Sequence, residues 1–268
     1  MLNPDPIHFP DRWAVAWGED CCGLWQAFEI QGVRQVMRWI PSGTFLMGSP
    51  EDEPERNDDE IQHQVTISRG YWLAETACTQ ALWQAVMGKN PSRFVADNTL
   101  PVEQVSWDDC IEFIEAANQQ LKNPGHMGLS LRLPTEAEWE YACRAGTTTA
   151  FYWGNELTPK LANYDGNYPY ADGKKGTYRE RTVPVHSFLP NPWGLYQIHG
   201  NVLEWCADWY GQYPAEPVSD PSGPETGLYR VLRGGCWFSY GRGLRSARRD
   251  LLEPVSRRAD DGLRLAGD

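Results

Sequence analysis

Cysteine and histidine are the side chains in this sequence best suited to bind a soft metal or to act as nucleophiles. The cysteines form no Cys-x-x-Cys pair, which excludes zinc ribbons and thioredoxin-like redox motifs. Their odd number and scattered positions predict that most of them are reduced thiols, buried as small hydrophobic side chains. The histidines form no His-x-x-x-His pair. The residues concerned are Cys21, Cys22, Cys78, Cys110, Cys143, Cys206, Cys236, His8, His63, His126, His186 and His199.

Charge and hydropathy limit the classes of partner. The chain has 24 Lys and Arg against 36 Asp and Glu, a net charge of -12, and such a surface repels the phosphates of nucleic acid. No apolar run approaches the ~20 residues of a membrane span, and the first residues lack the charged-then-apolar layout of a signal peptide. We therefore expect a soluble, cytoplasmic protein that does not bind nucleic acid.

The elements that would position functional side chains are short. The 268 residues include 25 Gly, 20 Pro and 13 Trp, which favour loops pinned by large side chains over long helices. Three helices are predicted, with N-caps at Thr79, Ser106 and Thr135. In the third helix, Glu138 is placed to complete a capping box, and Gly146 is expected to end the helix.

Short strands are also predicted. The stretch that starts at Arg38 alternates and then breaks at Pro41 and Gly43, which predicts a hairpin. Residues 51–60 read as a solvated acidic loop. The predicted fold class is α+β, a single domain with its helices in the first half and short strands and long loops in the second.

Several phrases of the sequence resemble the formylglycine-generating-enzyme (sulfatase-modifying factor) superfamily, whose fold is a variant of the C-type lectin fold. The resemblance implies a domain over residues 38–268, with residues 1–37 as an N-terminal lead-in packed on it. The superfamily includes oxidases, sulfoxide synthases and non-catalytic binding proteins, so the motifs indicate the fold more specifically than the activity. The phrases are IPSGTFLMGS, LPVEQVSWDDC, LRLPTEAEWEYACRAG, NPWGLYQIHGNVLEWCADWY, YRVLRGGCW and GLRLA.

The resemblance also implies where an oxidase would hold copper. Oxidases of the superfamily bind the ion between two cysteines five residues apart, shortly after the Arg-Gly-Gly motif. The matching positions here are Ser239 and Leu244, neither of which can supply a thiolate. Cys236, in the neighbouring position, and Cys206 do not restore the pair and are expected to be inert, packed thiols. We expect no copper and no catalytic residue.

A sulfoxide synthase of this superfamily needs a second, helical domain that carries a three-histidine iron site. The sequence contains no such domain and no such histidine set. His199, which precedes a glycine turn, is expected to be a hydrogen-bonded structural residue.

A structural calcium site is also implied by the resemblance. The segment equivalent to LYQIHGNVLEW wraps Ca²⁺ with the side chain of Gln197, the carbonyl oxygens of Gly200 and Val202, and the carboxylate of Glu204. Such a mixed oxygen shell suits a hard cation. Gln197 stands where the family often has Asn or Asp, and Glu204 could instead accept hydrogen bonds from loop amides.

The segment 236–261 keeps the superfamily's framework while its intervening positions look arbitrary. This resembles the variable proteins of diversity-generating retroelements, in which adenines of Asn codons are copied unfaithfully and the scaffold stays fixed. Such changes never produce Lys, Glu, Gln, Met or Trp, and the segment contains only Trp237 and Glu253 of these types. Trp237 belongs to the framework, so Glu253 must be a position that is not diversified.

The same segment has the composition of a binding surface. Phe238 and Tyr240 offer rigid aromatic area, and Arg242 offers a forked donor, a mixture typical of antibody paratopes. We expect the variable side chains, Leu244 among them, to be exposed, with Trp237 filling the core beneath. The arginines could instead be salt-bridge partners of loop 51–60. The candidate ligand-binding residues are Trp237, Phe238, Ser239, Tyr240, Arg242, Leu244, Arg248, Asp250, Leu251, Leu252, Val255, Ser256, Arg258, Ala259 and Asp260.

The sequence therefore predicts a non-enzymatic, receptor-like protein that uses segment 236–261 to bind a protein or small-molecule ligand. One alternative is an oxygen-dependent formylglycine-generating or related thiol oxidase. The other is a protein-interaction scaffold in bacterial signalling.

Overall fold

A computed structural model describes residues 6–122 and 128–268 of the chain, in which the strands form three sheets. The largest sheet has six strands in the order β1-β2-β3-β6-β13-β7, so the end of the chain pairs into the middle of the sheet. Its strands are β1 (Ala16–Asp20), β2 (Gly23–Ile30), β3 (Val33–Ile40), β6 (Tyr71–Ala74), β7 (Leu131–Arg132) and β13 (Ala266–Gly267).

The other two sheets are smaller. A four-stranded sheet has the order β11-β10-β8-β12, and a three-stranded sheet has the order β4-β5-β9. Their strands are β4 (Gly43–Met47), β5 (His63–Ile67), β8 (Leu203–Trp209), β9 (Val218–Ser219), β10 (Arg230–Arg233), β11 (Arg249–Leu252) and β12 (Asp261–Leu263). The α+β class and the formylglycine-generating-enzyme type of fold are confirmed.

The expected hairpin at Pro41 and Gly43 is wrong. β3 and β4 lie in different sheets, because β3 pairs with β6 and β4 pairs with β5. The real hairpin joins β2 to β3 through Gln31 and Gly32, both with positive φ, of 49° and 80°. That conformation is the one required by a tight two-residue turn.

The proposed boundary between residues 37 and 38 needs correction. It falls inside β3, and β1, β2 and β3 form a continuous ladder with the rest of the six-stranded sheet. Because inter-strand hydrogen bonds join the two parts, the lead-in is an integral half of that sheet rather than a segment packed on it.

The three predicted helices and their N-caps are confirmed. The hydroxyls of Thr79, Ser106 and Thr135 accept hydrogen bonds from the first turn, and the last two form capping boxes. The third helix ends where Ala145 and Gly146 take positive φ. The helices are α1 (Gln80–Met87), α2 (Trp107–Leu121) and α3 (Glu136–Arg144). None of the helices in the described ranges is long and apolar enough to cross a membrane.

Loop 51–60 is not simply a solvated acidic loop. Glu53 and Glu60 are buried, and both carboxylates bind the guanidinium of Arg245 at 2.6–2.7 Å. These ion pairs attach the loop to Arg245 of segment 236–261, since a buried charge needs a partner of opposite charge.

Candidate ligand-binding site

Two glycines turn the chain from β10 into the segment 236–261. Gly234 and Gly235 have φ values of 94° and 72°. A Cβ atom on Gly235 would lie 2.8 Å from the carbonyl oxygen of Gly243, so no other residue fits there without displacement. After the turn, the Ser239 hydroxyl accepts a hydrogen bond from the amide of Cys236 at 3.0 Å. A short 3-10 helix, Gly241–Leu244, completes the loop.

The positions matching the oxidase thiols lie on this loop. The Ser239 hydroxyl is 3.2 Å from the sulfur of Cys236, which is a free, buried thiol. Burial raises the pKa of the Cys236 thiol well above its usual value, so the sulfur stays protonated and is a poor nucleophile. The other matching position, Leu244, offers a methyl-terminated side chain.

Leu244 does not belong to the exposed surface, which corrects the expectation above. Its side chain is fully buried among Phe151, Tyr164 and Tyr170, three aromatic residues of the loops that follow α3. Its carbonyl oxygen is 2.6 Å from the Nδ1 atom of His199. Leu244 therefore anchors the loop to the body of the protein and is not available to a ligand.

The neighbouring side chains do reach solvent. Phe238 and Tyr240 are exposed by 41% and 46%, and Arg242 is also exposed. Tyr240 stacks on Tyr168, with ring centroids 4.0 Å apart, and Tyr168 is itself exposed. Exposed aromatic area and an exposed guanidinium thus lie on the same short loop. Sequence reasoning missed Tyr168 because it lies outside segment 236–261.

Trp237 lies beneath this face, as expected. It is 9% exposed, and its ring packs on Phe94, Tyr178 and Phe238. Its indole nitrogen donates to the carbonyl oxygen of Ala259 at 2.9 Å. The indole therefore supports the surface from below, and only a small part of it is open to a ligand.

In the second half of the segment, the side chains differ more in their exposure to solvent. Exposed side chains occur in β11 and in the turn after it, and Arg248 forms an ion pair with Asp250 at 3.0 Å. The exposed candidates are Leu251, Val255 and Arg258, and the partly exposed ones are Ser239, Arg248, Asp250, Leu252, Ser256 and Ala259.

Asp260 is buried and is not a surface residue, which is a second correction. It lies in a buried acidic group with Glu103 and Asp261 that the sequence did not reveal. Burial raises the pKa of Glu103 to about 7 and that of Asp261 to about 8. Glu103 accepts the amide of Phe94 at 2.8 Å, and the ring of Phe94 packs on Trp237, so Phe94 connects this acidic group to Trp237.

The framework arginines hold the segment through buried ion pairs. Arg249 binds Glu136 at 2.7 Å, and Arg233 binds Glu136 and Glu140. The arginine that binds loop 51–60 through Glu53 and Glu60 is the framework residue Arg245, whereas Arg248 of the candidate surface pairs with Asp250. The exposed Arg242 and Arg258 lie outside this buried network.

Only some of the four residues that the resemblance implies as calcium ligands have an oxygen free to bind a cation. The Oε1 atom of Gln197 is buried without a hydrogen-bond partner, as a ligand oxygen would be in the absence of its ion. Both oxygens of Glu204, however, bind Arg264, and one also accepts the indole N–H of Trp139 at 2.7 Å. The amide of Val202 donates to the carbonyl oxygen of Gly200 at 3.0 Å.

His199 is a structural residue, as expected. It is buried between Phe151 and Tyr152, and burial lowers its pKa to about 3, so the ring is neutral and Nδ1 donates to Leu244. Among the described residues, no other histidine belongs to a group of three potential metal ligands, and His126 lies outside the described residues. All seven cysteines are free, and five are buried; the other two, Cys21 and Cys22, are at least partly exposed.

Residues 27–268 match the family model described as the sulfatase-modifying factor enzyme 1-like domain. The chain belongs to this family. It is 39% identical over 223 residues to the formylglycine-generating enzyme of Thermomonospora curvata, covering 78% of this chain and 67% of that protein. It is 35% identical over 215 residues to that of Mus musculus, covering 77% and 53%. The chain thus spans about half to two thirds of these relatives.

Two solved structures share the fold over nearly their whole length. Treponema denticola variable protein 1 matches with a TM-score of 0.76 and 29% identity, covering 90% of this chain and 98% of that one. PvdO from Pseudomonas aeruginosa matches with a TM-score of 0.74 and 26% identity, covering 95% and 98%. The resemblance to the superfamily, including one of its variable proteins, is confirmed.

Proposed function

We propose that this protein binds ligands without chemical turnover and that its recognition surface lies on segment 236–261. One observation carries the proposal: at the two positions where the oxidases have thiols, this chain has the Ser239 hydroxyl and the fully buried Leu244. A cuprous ion needs soft ligands, and the Cys236 thiol beside Ser239 is buried and protonated. The thiol ligands that the oxidases use to bind copper are therefore missing at these two positions.

The surface itself supports binding. Phe238, Tyr240 and Tyr168 present rigid rings, and the exposed Arg242 of the same loop presents forked donors. The rings are fixed from behind: the amide of Asp165 donates to the carbonyl oxygen of Ser239, and that of Gly241 donates to Tyr168. A surface that is ordered before the ligand arrives loses less conformational entropy on binding.

We further propose that this surface is diversified by a retroelement, as in the variable proteins that the sequence resembles. The arrangement of the framework supports this. Trp237, Arg245 and Arg249 are buried and bonded to distant elements, whereas the positions between them include the exposed side chains of Phe238, Tyr240 and Arg242. Changes at the exposed positions would alter the ligand while leaving the scaffold in place.

The absence of oxidase activity can be tested directly. Purified protein is given Cu(I), oxygen and a cysteine peptide of the kind found in sulfatases, with a formylglycine-generating enzyme as positive control. We expect the peptide to be returned unoxidised and the protein to bind no copper through thiolates. Aldehyde formation that disappears in a Cys236→Ser variant would overturn the proposal in favour of a thiol oxidase.

The binding surface is tested with a library randomised at Phe238, Tyr240 and Arg242. Members are displayed and selected against panels of proteins and small molecules. We expect most members to fold and to select different ligands. A matched library at the buried residues Leu244, Arg245 and Ala247 should mostly fail to fold. Equal loss of folding in both libraries would show that the first set is core rather than surface.

A structural calcium ion is also proposed, held by Gln197 and the carbonyl oxygens of Gly200 and Val202. The orphaned Oε1 atom of Gln197 supports it. Glu204 would contribute only by sharing its carboxylate with Arg264, which already neutralises it. Calcium binding would stabilise the loop that precedes β8, and it supplies no chemistry to the proposed function.

A further inference from the structure

The tip of the first hairpin carries an unusual group of side chains. β1 and β2 pair up to Asp20 and Gly23, so the two residues of the connecting turn are Cys21 and Cys22. Both thiols are free; Cys21 is exposed and Cys22 is partly exposed. The turn precedes residues 27–268, the part that matches the family, so it is not one of the positions compared with the oxidases.

The two sulfur atoms have the separation of a metal-bound pair. They lie 3.9 Å apart. Two thiolates bound at the usual distance to one tetrahedral zinc ion are roughly 3.8 Å apart. A carboxylate oxygen of Asp20 and the two sulfurs all lie within 4.8 Å of one another. No other group of three Cys, His, Asp or Glu ligand atoms in residues 6–122 and 128–268 comes this close.

The carboxylate in this group is held in place. One Asp20 oxygen accepts the amide of Cys22 at 2.8 Å, and the other binds Arg38 at 2.7 Å. Arg38 in turn binds Glu75 at 3.2 Å, which offsets the repulsion that its charge would exert on a nearby cation. Outer contacts of this kind orient the ligands of metal sites.

We propose that Asp20, Cys21 and Cys22 bind a thiophilic divalent cation of the zinc type. The ion replaces the protons of the two thiols, which leave to solvent, and the bonds formed are two metal–sulfur bonds and one metal–oxygen bond. Sulfur ligands disfavour calcium and magnesium, so this site takes a different class of ion from the calcium site. Because the turn is exposed, a fourth coordination position remains open to water or to another ligand.

Cadmium is a suitable probe because thiolate-to-cadmium charge transfer absorbs in the ultraviolet. The full chain, freed of metal and kept reduced with a phosphine, is titrated with Cd²⁺. We expect one equivalent to bind, with the charge-transfer band, and Zn²⁺ to displace it. Cys21→Ser and Cys22→Ser should each abolish the band. Asp20→Asn should keep the band and weaken binding by at least about tenfold.

A neighbouring carboxylate provides the matched control. Glu19→Gln removes one exposed acidic charge from the adjacent position of β1, where the side chain points to the other face of the sheet. It should leave affinity unchanged. Zn²⁺ should also protect Cys21 and Cys22 of the unaltered protein from alkylation. Absence of the band, its survival in the double Cys21→Ser/Cys22→Ser variant, or an equal loss in Glu19→Gln would overturn the proposal.

Discussion

The indole nitrogen of Trp237 donates to the carbonyl oxygen of Ala259 at 2.9 Å, which joins the two ends of segment 236–261. Phe94 packs edge-on against the same ring, with centroids 5.5 Å apart. Leu244 fixes the middle of the segment among buried aromatic rings. The segment is thus attached at its start, middle and end, and the exposed residues lie between these attachments.

Trp237→Ala should therefore destabilise the protein more than any surface change. Removing a large buried ring costs about 3–5 kcal/mol of unfolding free energy, from lost burial and the cavity that remains. Trp237→Phe keeps most of the ring and loses one hydrogen bond, worth about 1 kcal/mol. Urea denaturation measures both. Equal stability of the alanine variant and the unaltered protein would show that the ring does not support the segment.

Exposed and buried positions of the same short loop should respond differently. Phe238→Ala, Tyr240→Ala and Arg242→Ala should each change the unfolding free energy by no more than about 0.5 kcal/mol, because these three side chains are exposed. Leu244→Ala should cost about 2–5 kcal/mol. Thermal and urea melts compare the four variants. A cost at Tyr240 similar to that at Leu244 would mean that the contact with Tyr168 is structural.

The local elements were predictable because their signals are local. The side chains of Thr79, Ser106 and Thr135 each accept a hydrogen bond from the residue three positions along the chain, so the sequence shows these caps directly. Strand pairing is different. β3 pairs with β6 rather than β4, and nothing in the residues around Pro41 encodes that choice.

The errors at the candidate site have the same physical origin. Leu244 sits among variable positions, but it is buried by Phe151 and Tyr170, which come from distant loops. Glu60 reads as a solvated charge, yet it binds Arg245, a partner 185 residues away. Burial depends on such long-range contacts. Composition indicated a candidate segment, and the structure was needed to separate its exposed members from buried residues such as Leu244 and Asp260 and to add Tyr168.

Calcium should stabilise the protein through Gln197. If the ion binds the native state alone, its presence at 100 times the dissociation constant adds about 2.7 kcal/mol. A chelator should then lower the melting temperature, and Gln197→Ala should remove the difference, while the exposed Gln119→Ala should keep it. Glu204→Ala is a poor test, because it leaves Arg264 buried without its partner. Identical melts with calcium and chelator would refute the site.

Glu103 should give the protein a measurable dependence of stability on pH. Burial raises its pKa from 4.5 to about 7 in the folded state, so between these values the folded protein holds a proton that the unfolded chain has lost. The unfolding free energy contributed by this group therefore falls as pH rises from about 4.5 to 7, by at most about 1.4 kcal/mol per pH unit, and is level above that range. Other carboxylates also make the unfolding free energy depend on pH, so the contribution of Glu103 must be measured by comparison with a variant.

Glu103→Gln keeps an acceptor for the amide of Phe94 and should remove the pH dependence that comes from Glu103. This variant should therefore become relatively more stable than the unaltered protein as pH approaches 7. Urea denaturation across the range measures the difference, with the exposed Glu115→Gln on α2 as the control that should follow the unaltered protein. Parallel profiles for Glu103→Gln and the unaltered protein would mean that the Glu103 carboxyl is ionised in the folded state at lower pH, as an ordinary solvated acid would be.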